Sequence, residues 1–376
     1  MNLDKIRKEF PVVNSRVFFD HAKVAPVSRR VREAVSAFAG DAAEFGTAHY
    51  AEWMRGVEDV RASFARLINA DPGEVAFVKN TSEGISIVAN GIDWCAGDNV
   101  VVPDIEFPAN VYPWMNLEQR GVETRLARSV DGRVPFEAIA GRVDGRTRVV
   151  SVSSVEANSG FRNDLNRLGA FCRERGIFFC VDAIQSLGAL PMDVKKDRID
   201  FLAADGHKWL MSFEGLGGFY ISSRVLEKIH PAVVGWDSVV NATDYMNYDF
   251  TLRPDARRFE EGSFNVMSIH ALGAALSLLH EVGVENIEAR LMQLGDYILE
   301  GLRRRGLEIL SSTLPGERSG IISFAVADPA KLAAVMESNR VSLTVRDGLV
   351  RLSPHVYNTE TEVDRFFEVL DESTNS

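Results

Sequence analysis

Phe178-Phe179-Cys180-Val181-Asp182-Ala183-Ile184-Gln185 is answered, a short gap later, by Asp200-Phe201-Leu202-Ala203-Ala204-Asp205-Gly206-His207-Lys208-Trp209. Each segment opens on a short apolar run and closes on polar groups. Such runs read as fully buried strands of a parallel sheet. Open α/β sheets bind ligands at the carboxyl ends of their strands, so Asp182 and the His207-Lys208 pair are expected to face one crevice.

An acid and a lysine placed this way suit pyridoxal 5'-phosphate. The lysine amine condenses with the cofactor aldehyde, and the acid pairs with the protonated ring nitrogen. Taken singly, each residue has a plainer reading: Asp182 caps a helix starting near Ala183, and Lys208 is a solvated loop lysine. Combined with Gln185, His207 and the segments below, the cofactor reading is preferred.

Val181-Asp182-Ala183-Ile184-Gln185-Ser186-Leu187-Gly188 and Gly206-His207-Lys208-Trp209 resemble the signature of the class V aminotransferase family. That group of fold-type I pyridoxal phosphate enzymes includes cysteine desulfurases, kynureninases and isopenicillin N epimerase-like proteins. The resemblance covers nearly the whole chain. It implies an α/β fold with a large cofactor domain over residues 16–256, built on a mostly parallel, seven-stranded type of sheet between helices. A smaller α+β domain is expected from residues 1–15 and 257–376. It also implies a homodimer with shared sites, to which Gly262 and Ser263 contribute across the interface.

Composition agrees with a soluble two-domain enzyme. The chain has 376 residues, 46% of them apolar, enough for a large core. Its net charge of −11 disfavours nucleic acid or anionic membrane as partner. No spanning apolar segment is evident, and Met1-Asn2-Leu3-Asp4-Lys5 does not read as a signal peptide. Cys95, Cys172 and Cys180 are few and unpatterned, which suits a reducing cytoplasm, and metal-ligand spacing is absent.

The remaining site residues follow along the chain. Glu74 to Val78 reads as a strand, Lys79 to Gly84 as a turn, and Ile85 to Asn90 as a helix. Hydroxyls and free N–H groups at a helix start form an anion site. The turn resembles the family's phosphate-binding segment, which assigns Thr81 and Ser82 to the cofactor phosphate, with His207 nearby and Ser186 fitting only loosely. Phe107 matches the position where relatives stack a ring on the cofactor, a histidine in desulfurases and an aromatic in kynureninase-like members. Asn158 is the candidate for a polar contact with the cofactor or substrate. Lys23, in a loop resembling one that borders the substrate, is either a contact to a distal acid or an exposed loop lysine. Glu214-Gly215-Leu216-Gly217-Gly218 leads into a strand, so it is no dinucleotide fingerprint.

Arg351-Leu352-Ser353 and Tyr357-Asn358-Thr359 are similar to a carboxyl-terminal family motif whose arginine binds the substrate carboxylate. A guanidinium fork suits that task. Residues 339–351 contain no cysteine, and the desulfurase histidine is replaced by Phe107, so thiol-based desulfuration is disfavoured. The expected activity is that of an aminotransferase acting at the alpha carbon through a Lys208 Schiff base. The alternatives are epimerisation (or racemisation) and C–S beta-elimination.

Overall fold

The computed structural model describes residues 2–374; Met1 and residues 375–376, the ends of the spans expected for the small domain, lie outside them. Among the described residues the strands are, in chain order, β1 (Val17–Phe18), β2 (Val75–Val78), β3 (Asn99–Pro103), β4 (Glu123–Ala127), β5 (Thr147–Ser153) and β6 (Phe178–Asp182). They continue with β7 (Phe201–Asp205), β8 (Gly217–Ile221), β9 (Ile322–Ala325), β10 (Val341–Ser342), β11 (Thr344–Arg346) and β12 (Leu349–Leu352).

Strands β2 to β8 form one sheet in the order β2-β8-β7-β6-β5-β3-β4. Only β8 runs against its neighbours; every other pairing is parallel. This is the mostly parallel α/β sheet that the resemblance implies. Strands β2, β3, β6 and β7 are buried at every position, because helices cover both faces, and so they read as unbroken apolar runs. Edge strand β4 is partly exposed and carries Glu123 and Arg125.

The two reversals at β8 leave β2 parallel to β7. Strands β2, β3, β5, β6 and β7 therefore end on one edge of the sheet and deliver the segments that follow them there. The helix Thr81–Gly91 lies so close over β7 that a Cβ at Gly84 would sit 2.7 Å from Ala203 Cβ. Glycine is required at that crossing. On the β2 side, Arg61 makes two hydrogen bonds to Glu260, which also accepts from the Phe77 N–H. Both charged residues are buried, and they fasten residues 257–263 to β2.

Two hydrophobic clusters pack on the sheet and together make its core; a second core is built on Phe19, Leu294, Ile298, Phe324, Val350 and Phe366. Antiparallel β11-β12-β9 belongs to the second lobe, and β1 pairs with β10 there. Along the amino-terminal segment, Ile6 and Phe10 pack in the sheet core, Phe19 in the second, and Ala22 and Ala25 in the first again. The helix Val266–Val282 also packs in the sheet core, while Val284–Arg304 spans both, with Ile287 and Leu291 in the first and Leu294 and Ile298 in the second. On this packing we propose that the lobe boundary falls along Val284–Arg304 and not at 257. The helix Pro329–Ser338 and strands β10 and β11 were not expected from the sequence.

Candidate active site

Asp182 ends β6 and is buried, held by the Ile184 N–H donating to Oδ1 at 3.0 Å. Its Oδ2 is buried without a partner. Burial pushes the carboxyl up to about 6, opposed by the Ile184 hydrogen bond and the Lys208 cation. Lys208 lies three residues beyond β7 and is also buried. Desolvation brings its amine down to about 8, against the pull of Asp182, with Arg351 and Arg346 adding to the depression. Acid and amine are thus electrostatic neighbours, as the opening stretch of sequence requires. Lys208 Nζ lies 5.5 Å from the centre of the Phe107 ring.

The helix expected over 85–90 begins earlier, at Thr81, capped by Asn80, whose side chain accepts from the Glu83 N–H at 2.9 Å. Thr81 and Ser82 therefore occupy its first turn, where backbone N–H groups have no partner within the helix. Thr81 is buried, and its hydroxyl accepts from the Asp205 N–H at 3.1 Å, which locks the turn to β7; Ser82 is exposed. His207 Nδ1 lies 3.1 Å from Asp205 Oδ1 but is not aligned for a hydrogen bond, so both atoms are buried and unsatisfied.

The other expected site residues have partners within the chain or lie exposed. Gln185 donates to the Ala22 carbonyl and accepts from the Trp209 indole, fixing the lysine loop against residues 20–25. Asn158 donates to Asp347 at 2.8 Å, across to the second lobe. Ser186 pairs with Ser154 in the interior. Lys23 is exposed near Asp20. Gly262 and Ser263 make no hydrogen bond to Thr81, His207 or Lys208 within the described chain; a Cβ at Gly262 would meet Trp236 Nε1 at 3.1 Å.

Arg351 enters from β12, nearly buried, and donates to the Ala157 carbonyl at 2.7 Å; its Nε is buried without a partner. Burial lowers its guanidinium to about 10 despite nearby Asp20. Two features escaped the sequence reading. Arg346 reaches the same ring as Lys208, 5.3 Å from the Phe107 centroid. Behind Asp182 lie Glu106, bound to the Ser153 hydroxyl at 2.6 Å, and Glu156, bound to Asn163 at 2.8 Å. Desolvation raises both acids, Glu106 to about 8, and they repel one another. Glu106 adjoins Phe107, but an acid beside an aromatic gives no sign in sequence that it is sunk.

A cavity of about 1220 Å³ is lined by residues such as Arg133, Arg167, Ser186 and Glu288 and does not include Lys208. The chemistry therefore has to be located by its side chains. Buried, unsatisfied polar atoms at the carboxyl edge of the sheet and on the facing lobe include Asp182 Oδ2, Asp205 Oδ1, His207 Nδ1 and Arg351 Nε. With the open helix start at Thr81, they fit a cofactor that carries a cationic ring nitrogen and a phosphate.

The aminotransferase class-V family model matches residues 17–366. The chain belongs to this family, whose members use pyridoxal 5'-phosphate. Among curated relatives it is 29% identical to a probable cysteine desulfurase of Methanothermobacter thermautotrophicus, covering 99% of this chain and 98% of that one. It is 31% identical to a cysteine desulfurase of Klebsiella pneumoniae, over 97% and 96%. Among solved structures, the apo cysteine desulfurase of Thermococcus onnurineus superposes with a TM-score of 0.90 at 25% identity, over 98% and 97% of the two chains. A cystine C–S lyase in complex with its product cysteine persulfide gives 0.89 at 25%, over 96% and 98%. The chain is thus a pyridoxal phosphate-dependent enzyme acting on an amino acid.

Proposed function

We propose that the enzyme removes the alpha proton of an amino acid with Lys208 and directs the outcome to transamination. The observation that carries this reading is the buried Lys208 amine, lowered to about 8, beside a carboxylate with a free buried oxygen. When bound, pyridoxal phosphate supplies an electron sink conjugated to the alpha carbon. Asp182 would hold the proton on the ring nitrogen, while burial pushes Glu106 and Glu156 behind it toward their neutral forms. Thr81, Ser82 and His207 would hold the phosphate. Arg351 would fix the substrate carboxylate and orient the alpha C–H toward Lys208. Lys208, once free, is a base poised near neutral pH. Phe107 would cover the ring and has no proton to exchange, which would leave Lys208 as the group that both takes the proton and returns it.

A thiol route has no support in the geometry. Cys172 and Cys180 are buried, and burial raises both thiols, Cys180 to about 12. Cys95 precedes β3 and so lies at the amino edge of the sheet, opposite Lys208. Beta-elimination of a sulfur substituent needs no protein thiol, and the likeness to a cystine C–S lyase keeps it as the second reading.

A homodimer is part of the proposal. Residues 233–250 expose Trp236, Tyr245, Met246, Tyr248 and Phe250, with Tyr248 97% and Met246 91% accessible. Contiguous apolar exposure of this kind marks an interface; the same segment neighbours Gly262, and pairing there would bring Gly262 and Ser263 to a second site. The testing experiment is an amino acid panel, following pyridoxamine phosphate, keto acid, ammonia and exchange of the alpha hydrogen together. Stoichiometric keto acid and pyridoxamine phosphate support the proposal. Ammonia with pyruvate, or exchange alone, would replace it with elimination or epimerisation.

A further inference from the structure

We propose that Arg346 is a second anion-binding group of this site, so that the preferred substrate is an amino acid whose side chain ends in an oxyanion such as a carboxylate or sulfinate. This inference rests on the reading of the site given above and names its substrate class.

The argument begins with the pleat. In the β11–β12 pair Thr344 lies opposite Arg351, so their side chains share a face of the small sheet. Arg346 stands two residues from Thr344 and projects from that same face. Both guanidiniums are thereby presented to Phe107 and Lys208 from the second lobe. Among the described residues the Arg346 side chain makes no hydrogen bond or ion pair; it lies 5.3 Å from the centre of the Phe107 ring, and its charge acts on Lys208 and Arg351.

The nearby acids are committed. Asp347 accepts from Asn158, and Asp20 accepts from the Thr344 hydroxyl at 2.7 Å while facing Arg351. Asp182 sits at the ring-nitrogen end. Lys208 and Arg346 both lie within 5.5 Å of the Phe107 ring centre, Arg351 shares a sheet face with Arg346, and an alpha-carboxylate neutralises only one guanidinium. A half-buried cation held beside two others without an acid is an unfavourable arrangement that an incoming anion relieves. Arg346 cannot serve the phosphate end, because that cradle is built at Thr81 on the other lobe. It stands on the substrate side, where a second oxyanion would meet it through a bidentate, charge-assisted contact.

The test compares near-isosteric pairs, L-aspartate with L-asparagine and L-cysteine sulfinate with L-cysteine, on the purified protein and on Arg346→Gln and Arg346→Lys. The readouts are kcat and KM separately, the absorbance change of bound cofactor on titration, and calorimetric binding of maleate against propionate. The wild type should favour the acidic member by about 10- to 100-fold, mostly in KM. Arg346→Gln should bring that ratio near one and weaken maleate binding while propionate is little affected; Arg346→Lys should keep part of the preference and guards against a Gln variant that does not fold. Equal handling of each pair by the wild type overturns the inference, as does an equal loss on both members in Arg346→Gln, which would place Arg346 on the shared carboxylate. If no amino acid alters the absorbance, the proposed activity fails, and the Arg346 dependence of maleate binding still decides the anion site.

Discussion

Lys208 and Asp182 are each driven toward neutrality by burial and each partly held back by the other's charge. Replacing Lys208 with Ala should lower turnover at least 10²- to 10⁴-fold through loss of the base, measured by single-turnover kinetics with cofactor supplied. The buried acids also make a stability prediction for the cofactor-free protein. Glu106 has its folded-state pKa raised to about 8, so between about pH 4.5 and 8 the folded state binds more protons than the unfolded one. Stability therefore falls as pH rises through that window. Glu106→Gln should flatten this slope, by something on the order of 1–4 kcal/mol between pH 5 and 8 in urea titrations. An unchanged slope would show that Glu106 ionises freely. Legibility at this scale divides by context. Asp182 and Lys208 stand out because polar groups end apolar runs, whereas Arg346 sits in a three-residue strand with no apolar alternation to announce it.

The elements that carry the site are set by close packing at their crossings. Gly84→Ala should destabilise by about 1–3 kcal/mol and weaken cofactor retention together, because the helix Thr81–Gly91 must lift from Ala203. Thermal melting and gel filtration with absorbance check both effects. Glu260→Ala leaves the buried Arg61 with only Glu58 and the Val75 carbonyl and the Phe77 N–H without its carboxylate acceptor; a loss of about 1–3 kcal/mol is expected in denaturant titrations. Strands β6 and β7 could be bounded from sequence, because burial on both faces leaves uninterrupted apolar runs. The start of the helix at Thr81 could not: Lys79-Asn80-Thr81-Ser82 has the composition of a turn, and the Asn80 cap that begins the helix is made of the same residue types. The helix Pro329–Ser338 buries only Leu332 and Met336, too few to mark a face.

For the whole molecule, the amino-terminal segment ties distant parts of the chain together, since β1 is recruited by β10 while Phe10 stacks on Tyr357 at 4.3 Å. Such long-range pairings have no local signal. The exposed 233–250 segment should associate: the wild type is expected to sediment as a dimer at micromolar concentration, and Tyr248→Glu with Met246→Glu should weaken dimer and activity in parallel. Monomeric wild type with full activity would remove the shared-site proposal. The whole account turns on which amine carries the cofactor. Borohydride reduction of the yellow protein, followed by peptide mass mapping, tests this most directly: a reduced pyridoxyl adduct on Lys208 is predicted, and an adduct on another lysine, or none, would contradict it.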